Sequence, residues 1–191
     1  MNRINLKLAG ILVAGLAALG TPALADHHGK KPATTVGGGQ LSPTATIVEN
    51  AVQSNMHNTL VAAVKAADLV GVLSGPGPFT VFAPTDGAFA KLPAGTVETL
   101  VKPENKAALA NILTYHVVAG KVTAADVLAA IKAGGGKAEL TTVQGQKLTA
   151  QLNGQNVEVI DANGGNAQVI KADVLSSNGV IHVTNAVSLP K

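Results

Sequence analysis

Phe79-Thr80-Val81-Phe82-Ala83-Pro84-Thr85-Asp86-Gly87-Ala88-Phe89 is the most informative stretch of the chain. From Phe79 to Phe82 large apolar and smaller residues alternate, which suits a strand with one buried face. Pro84 lacks the N–H that a ladder needs and disfavours helix at Ala83, so the strand ends there. Thr85 or Asp86 then offers an oxygen to cap a helix beginning near Gly87, with Phe89 folding back under its first turn. A second stretch, Ser177-Asn178-Gly179-Val180-Ile181-His182-Val183-Thr184-Asn185-Ala186-Val187-Ser188-Leu189-Pro190, lies about ninety residues further on. It opens with the turn dipeptide Asn178-Gly179 and runs into a β-branched strand. Neither stretch carries the residues of a catalytic site.

Residues 1–25 read as a secretory signal outside the fold. Arg3 and Lys7 make a positive leader, Leu8 to Leu19 is apolar, and Ala23-Leu24-Ala25 is an A-x-A cleavage site. The apolar run is too short for a membrane span, and no second one reaches spanning length. The expectation is a secreted protein, extracellular or periplasmic, with Asp26 at its mature end. Taking Arg3 and Lys7 from the 14 basic residues leaves 12 against 11 acidic ones, a net charge of +1. Nucleic-acid binding needs a concentrated cationic face and often stacking aromatics. Here the lysines are scattered, tryptophan is absent and Tyr115 is the single tyrosine, so that class is excluded. With no cysteine, the domain holds together by burial alone. Its core is expected to be aliphatic, with Phe79, Phe82 and Phe89 clustered at its centre.

Residues 26–43, with Gly37-Gly38-Gly39, Pro32 and Pro43, read as a flexible linker. A single domain is expected from 44 to 191. Helical spacing covers 46–54 and 59–67, and Ser74-Gly75-Pro76-Gly77-Pro78 breaks the chain before the Phe-rich strand. Pro103 opens a helix to about Leu113 with Leu109, Ile112 and Leu113 inward. Tyr115-His116-Val117-Val118 reads as a short strand ended by Gly120. Thr123 and Asp126 form a capping box for a helix over 124–132. Strands follow at 139–143, 146–152, 156–160, 167–173 and 180–183, with Asn153-Gly154 as the clearest hairpin signal. Helices first and strands later argue an α+β fold, a β-sandwich or wedge with several helices packed at one edge.

The two signature stretches resemble those of the fasciclin-like domain, a module of secreted and cell-surface adhesion proteins, and the order of elements agrees over Thr46 to Pro190. Leu113-Thr114-Tyr115-His116-Val117-Val118 resembles the family's central Tyr-His motif, which takes part in integrin binding in some animal members. Asp173-Val174-Leu175 falls where those members carry an Asp-Ile adhesion motif, with Val in place of Ile. The final signature usually has Asp where Asn185 stands. The resemblance implies a non-catalytic adhesion module without a cofactor. Its partner would be a cell-surface or matrix protein or a polysaccharide, met through Tyr115, His116, Val117, Val118, Asp173, Val174 and Leu175. A structural reading competes at each position. Tyr115 and His116 would be a hydrogen-bonded pair bracing the sheet, His182 a satisfied core histidine, Asp173 a tie to a neighbouring backbone amide, and Asp86 a helix cap. A rival function is carriage of a lipophilic small molecule such as a carotenoid, as in a few relatives, in an apolar groove between helices and sheet.

The chain has no G-x-S-x-G elbow, no H-E-x-x-H and no cysteine-ligand pattern. Gly134-Gly135-Gly136-Lys137 lacks phosphate-loop spacing and reads as a helix stop. One chemical feature is independent of the fold. Cleavage after Ala25 leaves Asp26-His27-His28 at the amino terminus, where the α-amine, two amides and the His28 imidazole can wrap Cu(II) or Ni(II) in a square plane. Calorimetry on a chain beginning at Asp26 is expected to show one tight Cu(II) site that His28→Ala abolishes; equal affinity in the variant would refute it.

Overall fold

Strands β3 (Phe79–Pro84) and β9 (Gly179–Thr184) come from the two signature stretches and lie side by side within a sheet, each with a strand on its other side. The computed structural model describes residues 33–191; the expected signal and the Asp26-His27-His28 end lie outside them. The two strands run parallel, in register from Phe79 opposite Gly179 to Pro84 opposite Thr184. All six residues of β9 are buried, as expected of a parallel pair covered on both faces. The approach is close, since a Cβ on Gly179 would overlap the Phe79 carbonyl and one on Gly77 the Asn178 carbonyl. Gly179 thus begins the strand, and the turn before it is Ser177-Asn178.

Five more strands extend this pair. β4 (Val117–Ala119) is antiparallel to β3 on one side. On the other side follow β8 (Asn166–Ser176), β7 (Asn156–Ile160), β6 (Lys147–Asn153) and β5 (Lys137–Thr141), each antiparallel to its neighbour. The sheet curls until its ends meet. Val118 bridges to Thr142, just past β5, and the Val143 N–H donates to the Val117 carbonyl at 2.7 Å.

The helices are α1 (Ile47–Gln53), α2 (Asn58–Ala66), α3 (Val70–Leu73), α4 (Asp86–Phe89), α5 (Thr96–Leu100), α6 (Lys106–Tyr115) and α7 (Ala124–Ala133). The capping box at Thr123 and Asp126 starts α7, and Thr46 with Glu49 forms a second one at α1. Pro103 opens a 3-10 turn that runs into α6. Thr85 caps α4 by accepting from the Ala88 N–H.

Strand parity divides the core in two. Phe79, Val81 and Ala83 share one face of β3 and pack with Ile181 and Val183 against Leu60, Val64, Leu109, Leu113 and Phe89 from the helices. Phe82 points to the opposite face, into a cluster with Tyr115, Leu148, Ala150 and Val159 closed by Val127 and Ile131 of α7. The three phenylalanines therefore do not gather at one centre. Phe79 and Phe82 are an odd number of residues apart on a strand, so they face opposite ways.

The stretch expected as a flexible linker is also different in its described part. β1 (Thr34–Val36) and β2 (Gly39–Leu41) form a hairpin whose Val36 and Leu41 are buried in the core. Its two-residue turn, Gly37-Gly38, has positive φ at both positions, the backbone a tight hairpin demands. Gly39 packs against the Gln53 carbonyl so closely that no Cβ fits. The glycines that suggest a linker are what allow the hairpin to seat on the end of α1.

Phe82 is 2% exposed whereas Phe79 is half-buried. Phe82→Ala is therefore expected to cost about 3–5 kcal/mol in urea unfolding, and Phe79→Ala clearly less. Equal losses would contradict the two-cluster core.

Candidate functional site

Tyr115 and His116 stand at the end of α6 and the start of β4, and both are buried. The expected strand over 115–118 is corrected here. Tyr115 closes the helix, the His116 N–H still bonds to the Ile112 and Leu113 carbonyls, and the strand begins at Val117. The Tyr115 hydroxyl donates to the Lys147 carbonyl at 3.0 Å and accepts from the Ala162 N–H at 2.9 Å. Burial raises its pKa. His116 Nδ1 bonds the Ile112 carbonyl at 2.8 Å, and its Nε2 accepts from the Ser188 N–H at 3.0 Å. That pattern assigns the neutral Nδ1–H tautomer, because a backbone amide has only a proton to offer. Val117 and Val118 are buried as well, so the four residues fasten the end of α6 to the sheet and present no face to solvent.

Asp173, Val174 and Leu175 lie on β8, where two register irregularities fall between Val169 and Val174. Val174 is buried, Leu175 half-buried and Asp173 exposed at φ +57°. The Asp173 carboxylate accepts from the Ala124 N–H at 2.8 Å. It does tie down a backbone amide, but that of a helix 49 residues away in sequence. Its own N–H reaches His182 Nδ1 at 3.4 Å, while His182 Nε2 bonds the Val122 carbonyl at 2.9 Å. The His182 ring stacks on Phe82 with centroids 5.4 Å apart. Asp86 is a cap of a different helix from the one expected. Its carboxylate accepts from the Asn58 and Thr59 N–H groups at the start of α2. Burial opposes the charge on Asp86, but the bonds from Thr59 and Asn58 outweigh it and its pKa is lowered.

Several polar residues central to the structure were not flagged by the sequence. Asn50 is fully buried; it accepts from the Ser42 N–H and donates to the Ser42 carbonyl and Ser176 Oγ. The signal was present, as a polar residue one turn beyond Ile47 on the inward stripe of α1. Asn178 accepts from the Ile47 N–H and donates to the Leu73 and Gly75 carbonyls, tying the second signature to the helical half. Asp161 accepts from Asn163, Gly165 and Leu189 N–H groups. Its surroundings in sequence, Asp161-Ala162-Asn163-Gly164-Gly165, are those of an Asx turn.

An apolar cleft runs between α1, α2, α3 and the sheet, lined by Val48, Ala51, Val61, Val64, Val70 and Ile181, with His116 also on its wall. In this conformation it holds about 30 Å³.

A family model of the fasciclin domain matches residues 55–190. The chain belongs to the fasciclin domain family. Among curated relatives, protein sll1483 of Synechocystis is 48% identical over 97% of this chain and 99% of its own length. Immunogenic protein MPB70 of Mycobacterium bovis is 32% identical over 97% of this chain and 91% of its own. Transforming growth factor-beta-induced protein ig-h3 of Sus scrofa is 34% identical over 78% of this chain, which spans only 20% of that protein. The solved FAS1 domain pair of the insect cell adhesion molecule fasciclin I has the same fold, with a TM-score of 0.67 at 20% identity. The match covers 76% of this chain and 51% of that one. In this fasciclin domain the two signature stretches are the parallel inner strands, and the Tyr-His motif is a buried brace.

Three buried histidines carry a common consequence. Burial lowers the pKa of His57, His116 and His182. His57 bonds Ser54 Oγ through Nδ1, and its Nε2 has no hydrogen-bond partner among the described residues; the Ala83 carbonyl nearby favours the protonated ring but falls outside bonding geometry. Each ring titrates in the unfolded chain near its ordinary value of about 6.5. The unfolded state therefore binds protons first, and stability is complete above about pH 6.5 and lost as pH falls towards the folded values. Urea midpoints are expected to fall steadily between about pH 6.5 and 5; a flat profile there would contradict the neutral assignment.

Proposed function

We propose that this chain is an exported, non-catalytic adhesion or interaction module whose contact surface is the bulged stretch of β8 from Ile170 to Leu175. The observation that carries this reading is Ile170, a large apolar side chain 49% exposed within a sheet strand, beside exposed Lys171 and Asp173. Bulges re-aim side chains out of a ladder, which leaves Ile170 and its charged neighbours free of the sheet's own packing and available to a partner. Membership of the fasciclin family supports the class of function, as does the fold shared with a cell adhesion molecule. No helix among the described residues is long and apolar enough to cross a membrane, and the leader at 1–25 supports export.

The Tyr115–Val118 half of the expected surface contributes by holding the scaffold. Both nitrogens of His116 and both bonding roles of Tyr115 are committed to backbone groups, which leaves little for a partner or for proton transfer. Carriage of an apolar ligand has the cleft beside α1 to α3 as its natural site. That cleft holds on the order of a tenth of the volume a small-molecule site needs, so adhesion is the reading the geometry favours.

Beads coated with the domain are expected to attach to host envelope or matrix material. Ile170→Asp with Lys171→Glu should weaken attachment about tenfold or more, as loss of a central contact residue does. Either bare-bead levels of attachment by the unaltered domain or full attachment by the double variant would overturn the assignment.

A further inference from the structure

The segment Ser188–Lys191 belongs to no helix or strand, yet it is tied down along its whole length. The Ser188 N–H donates to His116 Nε2 at 3.0 Å and the Leu189 N–H to Asp161 Oδ2 at 2.9 Å. Asn163 Nδ2 donates to the Leu189 and Pro190 carbonyls at 3.0 and 3.1 Å. Gln146 closes the series, donating to the Lys191 carbonyl and accepting from its N–H. Side chains from the end of α6 and from two turns thus hold an otherwise irregular segment.

One of these ties differs chemically from the rest. His116 accepts through Nε2 because its proton is on Nδ1, spent on the Ile112 carbonyl. A proton added at Nε2 sets two N–H groups against each other at 3.0 Å. The ring is held by α6 from behind, whereas the segment rests on exposed side chains such as Asn163. The segment is the part that gives way.

We propose that Ser188–Lys191 is a proton-released strap, fastened by neutral His116 and opened by its protonation while both core clusters stay packed. This is independent of the β8 contact surface. The charged groups around the ring are few. Asp161, itself a partner of the strap, attracts a proton to His116, and Lys65 lines the same cleft. β3 and β9 face the cleft with Val81, Ala83 and Ile181, none of which titrates. Burial is the larger influence and keeps His116 below its ordinary pKa, so the strap is closed at neutral pH. Opening frees the Asp161 carboxylate from Leu189 and bares the His116 ring, creating in acid a surface that neutral protein does not have.

Hydrogen exchange on the whole protein tests this, with rates corrected for the intrinsic effect of pH. Protection of the Ser188 and Leu189 amides is expected to fall about tenfold for each pH unit as the His116 midpoint is approached from above, and to level off below it. The Leu148 and Val159 amides, in the inner core, open only with the whole domain, so their protection should follow the urea-measured stability and stay far above that of the strap. Linkage gives a second readout, because weakening a closed strap must make His116 easier to protonate. Asn163→Ala and Gln146→Ala, both outside the core, should raise the His116 midpoint measured by NMR. Strap protection that falls only in step with that of the core would overturn the proposal. So would a His116 midpoint unmoved by either substitution, or a ring that stays neutral until the protein unfolds.

Discussion

The parallel pairing of β3 with β9 is the constraint from which the rest of the molecule follows. It joins residues about one hundred positions apart in sequence, from Phe79 with Gly179 to Pro84 with Thr184, so it closes nearly the whole domain in one step. Loop-closure entropy makes such a contact costly to form, and the flanking interactions offset that cost. Asn178 bonds to Ile47, Leu73 and Gly75, and the Phe79 N–H donates to the Asn178 carbonyl. Once the pair is made, its two faces define the two core clusters, and helices and remaining strands have only one side on which to pack.

In a chain without cysteine, buried polar side chains take the place of covalent ties. Asn50, Tyr115, His116, Asp161 and His182, together with half-buried Asn178, each bond to segments far away in sequence. Polar groups sealed from water are costly when unpaired, so each one specifies a single arrangement of the elements it joins. The residues that mark the family are of this kind. The Tyr-His motif and the last signature supply bracing.

Local signals were readable where one segment decides its own structure. The capping box at Thr123, the strand stop at Pro84 and the hairpin after β6 needed no tertiary context, although that hairpin turns on Gly154-Gln155, with Asn153 paired to Asn156 as the last strand residue. Signals that depend on distant partners were not. Gly37-Gly38-Gly39 reads as a linker until Met56 and Gln53 are seen to occupy the space a side chain would take. Tyr115-His116 reads as a strand because the valines that follow are β-branched, while α6 extends through Tyr115 and is capped by His116, which brings their polar tips to Lys147, Ala162 and Ser188. The candidate site was legible in composition more than in arrangement. Asp173 is exposed on its bulge as a contact residue would be, but its tie to α7 crosses 49 residues. Ile170, the apolar group beside it, carries no motif at all.

The meeting of Val118 with Thr142 has a consequence for how copies of this molecule behave together. A sheet whose two outermost strands touch one another offers little bare ladder on which a neighbouring chain can nucleate. Without that contact, the outer edges of β4 and β5 would lie further open to a neighbouring chain. The curl thus narrows the bare ladder that an aliphatic protein, 47% hydrophobic by composition, offers to its neighbours.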